Sequence, residues 1–299
     1  MYIIKHRKIF FIISSIMILI SLGLIIFNGL NFGIDFTGGS IMEVEYTGIR
    51  PDAVDMRKKL DSASVGDYRL QLTGENGFVL RTKELNEEER VSVLNVLSDG
   101  SGESIQKRFN TVGPVIGEEL KEKALIAIVV VVLAIILFIA FSFRKVSEPV
   151  SSWKYGLVAI IALIHDILIP TGAFVILGHF TGAEIDILFV TALLAILGFS
   201  VNDTIIVFDR IRENLNLNEE RRIKEEFKDI VGKSLNQTFA RSINTSLTTL
   251  LVLLTLLFLG GDSTKYFALT LVIGVIAGSY SSIFLASPLL ISLNPKSAD

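Results

Sequence analysis

Apolar residues in this chain are gathered into long runs set apart by charged stretches. Six runs are long enough to cross a bilayer, since about 20 apolar residues at about 1.5 Å each span about 30 Å of hydrocarbon. They lie at 9–28, 124–143, 155–177, 185–208, 243–260 and 266–290. The fifth opens on a polar turn, and Pro170 and ionisable residues blur the edges of the third. The pattern predicts a membrane-embedded, all-α bundle of six helices.

Between the first two runs the period changes. SIMEVEY alternates like a half-buried strand. RPDAVDMRKKLDSA sets Ala53, Val54, Met56 and Leu60 at helical spacing after a proline. YRLQL and GFVLRT flank the turn TGENG and predict a hairpin. NEEERVSVLNVL opens with Asn86 as a cap and acidic residues in its first turn, with Val91, Leu94 and Leu97 on one face. SIQKRFNTV reads as a last, weaker strand. The order β-α-β-β-α-β is that of a ferredoxin-like α+β sandwich, and about 90 residues suit one small domain. The expected organisation is a first span in 1–29, a ferredoxin-like domain in 30–122, and five further spans in 123–299. The charged link 209–242 is expected as a basic loop, folded as a solvated amphipathic helix on the inner surface, with a docking surface for a partner as the other reading.

Composition narrows the chemistry. The chain is 51% hydrophobic with a mean hydropathy of +0.58, as in integral membrane proteins. A net charge of −3 gives no footprint for nucleic acid. With no cysteine, disulfides, thiolate metal sites and thiol nucleophiles are excluded. His6, His165 and His179 show no metal-ligand spacing. No phosphate-cradling loop or nucleophile–base pair is evident, so neither a cofactor nor an enzymatic activity is expected.

Charge also sets orientation. KHRK precedes an apolar run longer than a signal-peptide core, with no A-x-A site after it, so an uncleaved anchor is expected. Lys5, Arg7 and Lys8, then Arg144, Lys145 and Lys154, then Arg210, Arg212, Arg221, Arg222, Lys224, Lys228 and Lys233 all fall on one side of six spans. The opposite short loops, GHFTGAE and GGDSTK, offer only Lys265. Both termini and the basic loops are expected in the cytoplasm, and 30–122 outside it.

Polar residues inside the spans carry the candidate chemistry. Asn202 and Asp203 interrupt LAILGFSVNDTIIVFDRIREN, with Asp203 about five residues, or roughly 8 Å, below the inner boundary. An ionised group at that depth costs several kcal/mol unless it finds a partner, water or a proton. A proton relay and a structural carboxylate both fit. Arg241, Asn244, Thr245 and Thr248 recur at i, i+3, i+4 and i+7 as one polar stripe at matching depth. An Arg241–Asp203 pair that opens on protonation is one expectation; an arginine at the edge of a span is the other. His165 and Asp166 fall near the middle of the third span, and Pro170 cannot donate to the carbonyl of Asp166. A kinked or hydrated polar cavity is expected there, with Asp166 and His165 as relay or solvated-path groups. Gly274 and Gly278, continued by Ser281 and Ser282, make a small-residue packing face, and Gly198 and Ser200 read the same way.

NFGIDFTGGS, VGPVIGEEL, GFSVNDTIIVFDRIREN, SLNQTFARSINTSLTTLL and GSYSSIFLASPLL together resemble the SecF subunits of the bacterial SecDF accessory translocase, in order over nearly the whole chain. The resemblance implies membership of the resistance–nodulation–division superfamily and a place in the bacterial cytoplasmic membrane. It implies a SecD-like partner, action with the SecYEG channel and the SecA motor on unfolded preprotein, and use of the proton-motive force late in export. Contact with membrane lipid follows from the spans. The family's proton-passage Asp and Arg match Asp203 and Arg241. Gly33, Asp35, Gly38 and Gly39 match its signature segment, where a turn cap and a hinge are both open. A scaffold without its own ion path, and a small-molecule or lipid exporter, are the competing functions.

Overall fold

The computed structural model describes residues 2–98, 104–143 and 151–294; Arg144 and Lys145, used above for orientation, lie outside them, as do both ends of the chain. Along the chain come α1 (Tyr2–Lys5), α2 (Arg7–Asn28), α3 (Ile34–Thr37), β1 (Gly39–Tyr46), α4 (Ala53–Ser62), β2 (Tyr68–Thr73), β3 (Gly77–Thr82), α5 (Glu87–Ser98) and β4 (Ser104–Val112). Then follow α6 (Pro114–Ser142), α7 (Ser152–Thr181), α8 (Ile187–Glu220), α9 (Phe227–Leu259), α10 (Asp262–Tyr280), a π-helical turn (Ser281–Ala286) and α11 (Ser287–Ser292). Two compact units result. One is Met1–Leu30, Ile126–Ala183 and Leu188–Asp299; the other is Asn31–Leu125 with Glu184–Ile187.

The second unit holds a four-stranded antiparallel sheet in the order β2-β3-β1-β4. The alternation in β1 buries Ser40, Met42, Val44 and Tyr46. Met56 and Leu60 of α4 and Val93 and Leu97 of α5 complete the same core. Both helices start where the chain supplies an acceptor. Asp52 Oδ1 accepts from the Val54 N–H at 2.8 Å. Asn86 and Glu89 form a reciprocal capping box: Asn86 Oδ1 accepts from the Glu89 N–H, and Glu89 Oε2 from the Asn86 N–H. The buried Tyr46 hydroxyl donates to the Leu97 carbonyl at 2.6 Å, and burial pushes this phenol up to about 12. The expected face of α5 is off by a partial turn. Val91 is exposed, because Val93 and Leu97, four apart, are the pair that reaches the sheet.

The first unit is helical. Among the described residues, six helical segments are long and apolar enough to cross a membrane: Arg7–Asn28, Pro114–Ser142, Trp153–Thr181, Ile187–Glu220, Phe227–Leu259 and Thr264–Ser292. Small residues set the closest approaches. A Cβ on Gly172 of α7 would lie 2.7 Å from the Ser21 Cα, so α2 rests on α7 through Ser21. Gly274 and Gly278 of α10 face Ile196 and Ser200 of α8. Gly198 differs, with nothing within 4 Å of its Cβ position: it points away from the contacts its neighbours make. Helix α7 runs through Pro170 without a break.

The link 209–242 is not a separate surface helix. Helix α8 continues to Glu220 and α9 begins at Phe227, so the charged stretch extends both spans and leaves a short turn. Phe208, Ile211, Val231 and Leu235 pack together on the inner faces of this hairpin. Asn214 Nδ2 donates to Ser234 Oγ at 2.8 Å and to Gln237 Oε1 at 2.9 Å. Charges on the outer faces are met locally, as where Arg210 pairs with Glu213 one turn on, at 2.6 Å.

Candidate functional site

Two carboxylates are buried in the helical unit, in opposite states. Asp166 of α7 has no exposed surface. Its Oδ1 meets His165 Nδ1 at 2.8 Å, and its Oδ2 accepts from Ser281 Oγ at 2.8 Å and from Ser200 Oγ. The donors come from α7, α8 and the π-helical turn. That turn opens at Ser281 immediately after Tyr280, whose ring stacks on His165 with centroids 5.9 Å apart. Tyr280 donates in turn to the Phe10 carbonyl of α2 at 3.1 Å. A polar knot therefore ties four segments together, and hydrogen bonds to a charged group are worth about 1.5–3 kcal/mol each. His165 Nε2 is buried without a hydrogen-bond partner.

Ser200 and Ser281 were read from the sequence as packing residues. Packing holds for Ser200, which meets Gly278, but both hydroxyls also donate to Asp166. Nothing in either segment's own periodicity signals this, because the partner lies 34 and 115 residues away.

Asp203 of α8 is 1% exposed, and neither carboxylate oxygen has a hydrogen-bond partner among the described residues. The closed Arg241–Asp203 pair expected from the sequence is not formed. Arg241 acts on Asp203 only through space, since it stands on the exposed face of α9 while Asp203 is on the buried face of α8. Arg241 borders a cleft of about 450 Å³ with Asp209, Arg210, Glu213 and Gln237, whose inner wall is Ile205 and Ile206. A long guanidinium reaching toward a polar cleft rather than an apolar interior is the expected snorkelling behaviour.

The predicted polar stripe on α9 also lies outward: Arg241, Asn244 and Thr248 are exposed and Thr245 is half-buried. Asn202 of α8 is exposed as well. Thr245 and Thr248 turn their hydroxyls back onto the carbonyls of Arg241 and Asn244, both at 2.9 Å, and make no interhelical bond. The stripe that α9 buries is Thr238, Ser242 and Ser246, four residues apart, and Ser246 Oγ meets Ser279 Oγ of α10 at 2.6 Å. Small hydroxyl residues let backbones approach, which asparagine and arginine do not. Ser242 Oγ, like Asp203, is buried without a hydrogen-bond partner.

The signature glycines occupy the second unit. Gly33 donates its N–H to the Ile185 carbonyl at 2.9 Å, and the Ile185 N–H donates to Asn31 at 2.7 Å. Asp35 Oδ2 accepts from the Ile187 N–H at 3.1 Å, so it caps the first turn of α8 from a distance. Arg81 Nε and Glu184 Oε1 pair at 2.9 Å. Burial raises the Glu184 carboxyl, and Arg81 pulls it part of the way back. The segment between α7 and α8 is thus strapped to Asn31–Asp35, a tighter arrangement than a free hinge. Gly38 has φ 72° and ψ 166°, a region only glycine enters readily, and a Cβ there would stand 2.7 Å from the Pro114 Cα. Gly38→Ala is expected to destabilise this unit by about 2 kcal/mol or more. Pulse proteolysis of the full-length chain checks it, with faster cleavage within 39–112.

Comparison with known proteins matches this chain to two family descriptions. Residues 93–296 match the C-terminal region of the SecD/SecF protein export membrane proteins, and residues 23–48 match the SecD/SecF GG motif. The protein translocase subunit SecF of Thermobaculum terrenum is 41% identical, covering 98% of this chain and 94% of its own length. The SecF subunit of a Synechocystis species is 38% identical over 95% of this chain and 91% of its own. The crystal structure of SecDF from Thermus thermophilus, described as a translocon-associated membrane protein, is similar with a TM-score of 0.84 at 31% identity. That match covers 97% of this chain but only 38% of the SecDF chain. A SecDF structure in a super-membrane-facing form gives a TM-score of 0.65 at the same identity.

A mostly helical fold with six candidate membrane helices among the described residues and a small antiparallel sheet, together with relatives named as protein translocase subunits, marks a multi-pass membrane protein of the transport class. This chain belongs to the SecF family of protein translocase subunits.

Proposed function

We propose that this chain is the SecF-type half of a SecDF device that uses the proton-motive force to promote late preprotein export across the bacterial cytoplasmic membrane. The observation that carries the reading is Asp203: fully buried, on a membrane helix, with neither oxygen hydrogen-bonded. An ionised carboxylate in that setting is unfavourable by several kcal/mol, and taking up a proton relieves most of it. Arg241, held nearby without contact, is suited to approach when the acid is charged and to withdraw when it is neutral. Asp166 has a different role in this reading. Its donors from three segments suit a lock that fixes α7, α8 and the π-helical turn around the moving part.

The exposed polar face supports a partner. Asn202, Arg241 and Asn244 on membrane helices are costly against lipid, and a second chain covering them removes that cost. A SecD-like subunit is the proposed cover, since the matching SecDF chain is far longer than this one. SecYEG, SecA and the unfolded preprotein complete the assembly. Residues 30–122 form an extracytoplasmic domain, with both termini in the cytoplasm. The β-α-β-β-α-β order with strands β2-β3-β1-β4 supports a ferredoxin-like reading of that domain.

The test is a stalled-precursor assay in membrane vesicles lacking the native subunit. A precursor held part-way is expected to be released on imposing a proton gradient only when this chain and its SecD-like partner are supplied together. Release that ignores the gradient would favour the scaffold.

A further inference from the structure

A large cleft in the helical unit lies away from both carboxylates. It measures about 940 Å³ and lies between the N-terminal segment and the first turns of α9. Five cationic side chains line it: Lys5, Arg7, Lys8, Lys228 and Lys233. Among the described residues, Asp229 is the one acid on its wall. Lys228 is held at 2.5 Å by Glu226, and the positive charge of Arg7 also acts on it. Like charges brought together by two separate segments repel, so the fold maintains this arrangement at an electrostatic cost that an anion would remove.

The surroundings select the kind of anion. Asn236 and Gln237 add neutral polar groups to one side, and Ile4 and Ile9 make an apolar wall. From the cleft, both helices run on as exposed apolar faces, with Ile9, Ile12 and Ile16 on α2 and Phe239, Ile243 and Leu247 on α9. A ligand that fits has a negative head and long apolar tails. A free phosphate would use the cations and leave the apolar faces unused.

We infer that this cleft is a binding site for an anionic phospholipid, with its phosphate among Lys5, Arg7, Lys8 and Lys233 and its acyl chains along α2 and α9. The cleft stands where the spans meet the polar boundary on the side of the basic segments, where such headgroups lie. Bound there, the lipid bridges the N-terminal segment to the helical hairpin of α8 and α9.

The experiment uses the full-length chain with its partner in neutral detergent. Binding of dioleoyl phosphatidylglycerol, of the matching phosphatidylcholine and of inorganic phosphate is counted by native mass spectrometry. Phosphatidylglycerol is expected to bind at least about tenfold more tightly than phosphatidylcholine. Lys8→Gln with Lys233→Gln is expected to reduce that preference at least about fivefold, while Lys233→Arg retains it. Asn236→Trp, which narrows the cleft without changing charge, is expected to weaken phosphatidylglycerol binding as well. Equal binding of the two lipids, or a preference untouched by both the charge and the tryptophan variants, would overturn the proposal. Inorganic phosphate displacing phosphatidylglycerol at equal concentration would overturn the lipid assignment in favour of a plain anion site.

Discussion

Asp203→Asn is expected to remove the gradient-dependent part of export while leaving the chain folded and the complex assembled. Asparagine has nearly the same shape but holds neither a charge nor a transferable proton. One charge moved through 100 mV is worth about 2.3 kcal/mol, which corresponds to about 50-fold in a rate ratio. That is the size of stimulation the variant should lose. Stability should move the other way or not at all, because the carboxylate has no hydrogen bond to lose and an unpaired buried charge is unfavourable. Precursor release with and without an imposed gradient, beside a denaturant titration of the same sample, reads both quantities.

Asp166→Ala is expected to act in the opposite sense, through stability first. The substitution strands the hydroxyls of Ser200 and Ser281 and the His165 Nδ1 in a site with no exposure. Breaking a buried, hydrogen-bonded charged group by removing one partner costs about 3–5 kcal/mol. The folded fraction in a denaturant titration should fall accordingly, and export should fall with it whether or not a gradient is present. Ser281→Ala, which removes one donor, should cost about 1–3 kcal/mol. If Asp166→Ala were as stable as the parent yet lost only the gradient-dependent component, Asp166 would be a relay group and the lock assignment would be wrong.

The two acids looked alike in the sequence, each a carboxylate inside an apolar run. What separates them is where their donors stand. Ser200 and Ser281 reach Asp166 only because α8 and the π-helical turn converge on α7, and pairings between distant segments leave no local periodicity. The elements of the sheet unit were far more legible. The alternation in β1, the Asn86 cap and the turn before Gly77 are local signals, and the structure follows each. Only the helix faces drifted, since Val91 and Val93 both fit an amphipathic pattern until the sheet chooses one.

Helix α9 carries the most useful lesson. Its sequence has two polar stripes, Arg241–Asn244–Thr248 and Thr238–Ser242–Ser246. The first holds the stronger hydrogen-bonding groups and stands out in the sequence. The second is buried, because close packing selects for small side chains rather than for polarity. The hairpin of α8 and α9 was hidden for a related reason. Its charges dominate the composition of 209–242, yet Phe208, Ile211, Val231 and Leu235 keep an apolar face beneath them.

The most direct measurement is proton flux into sealed vesicles holding this chain and its SecD-like partner, for the parent and for Asp203→Asn. The account predicts a gradient-driven flux in the parent that disappears in the variant while the complex stays intact. Undiminished flux in the variant would show that protons pass without Asp203, and the proposed coupling would fail.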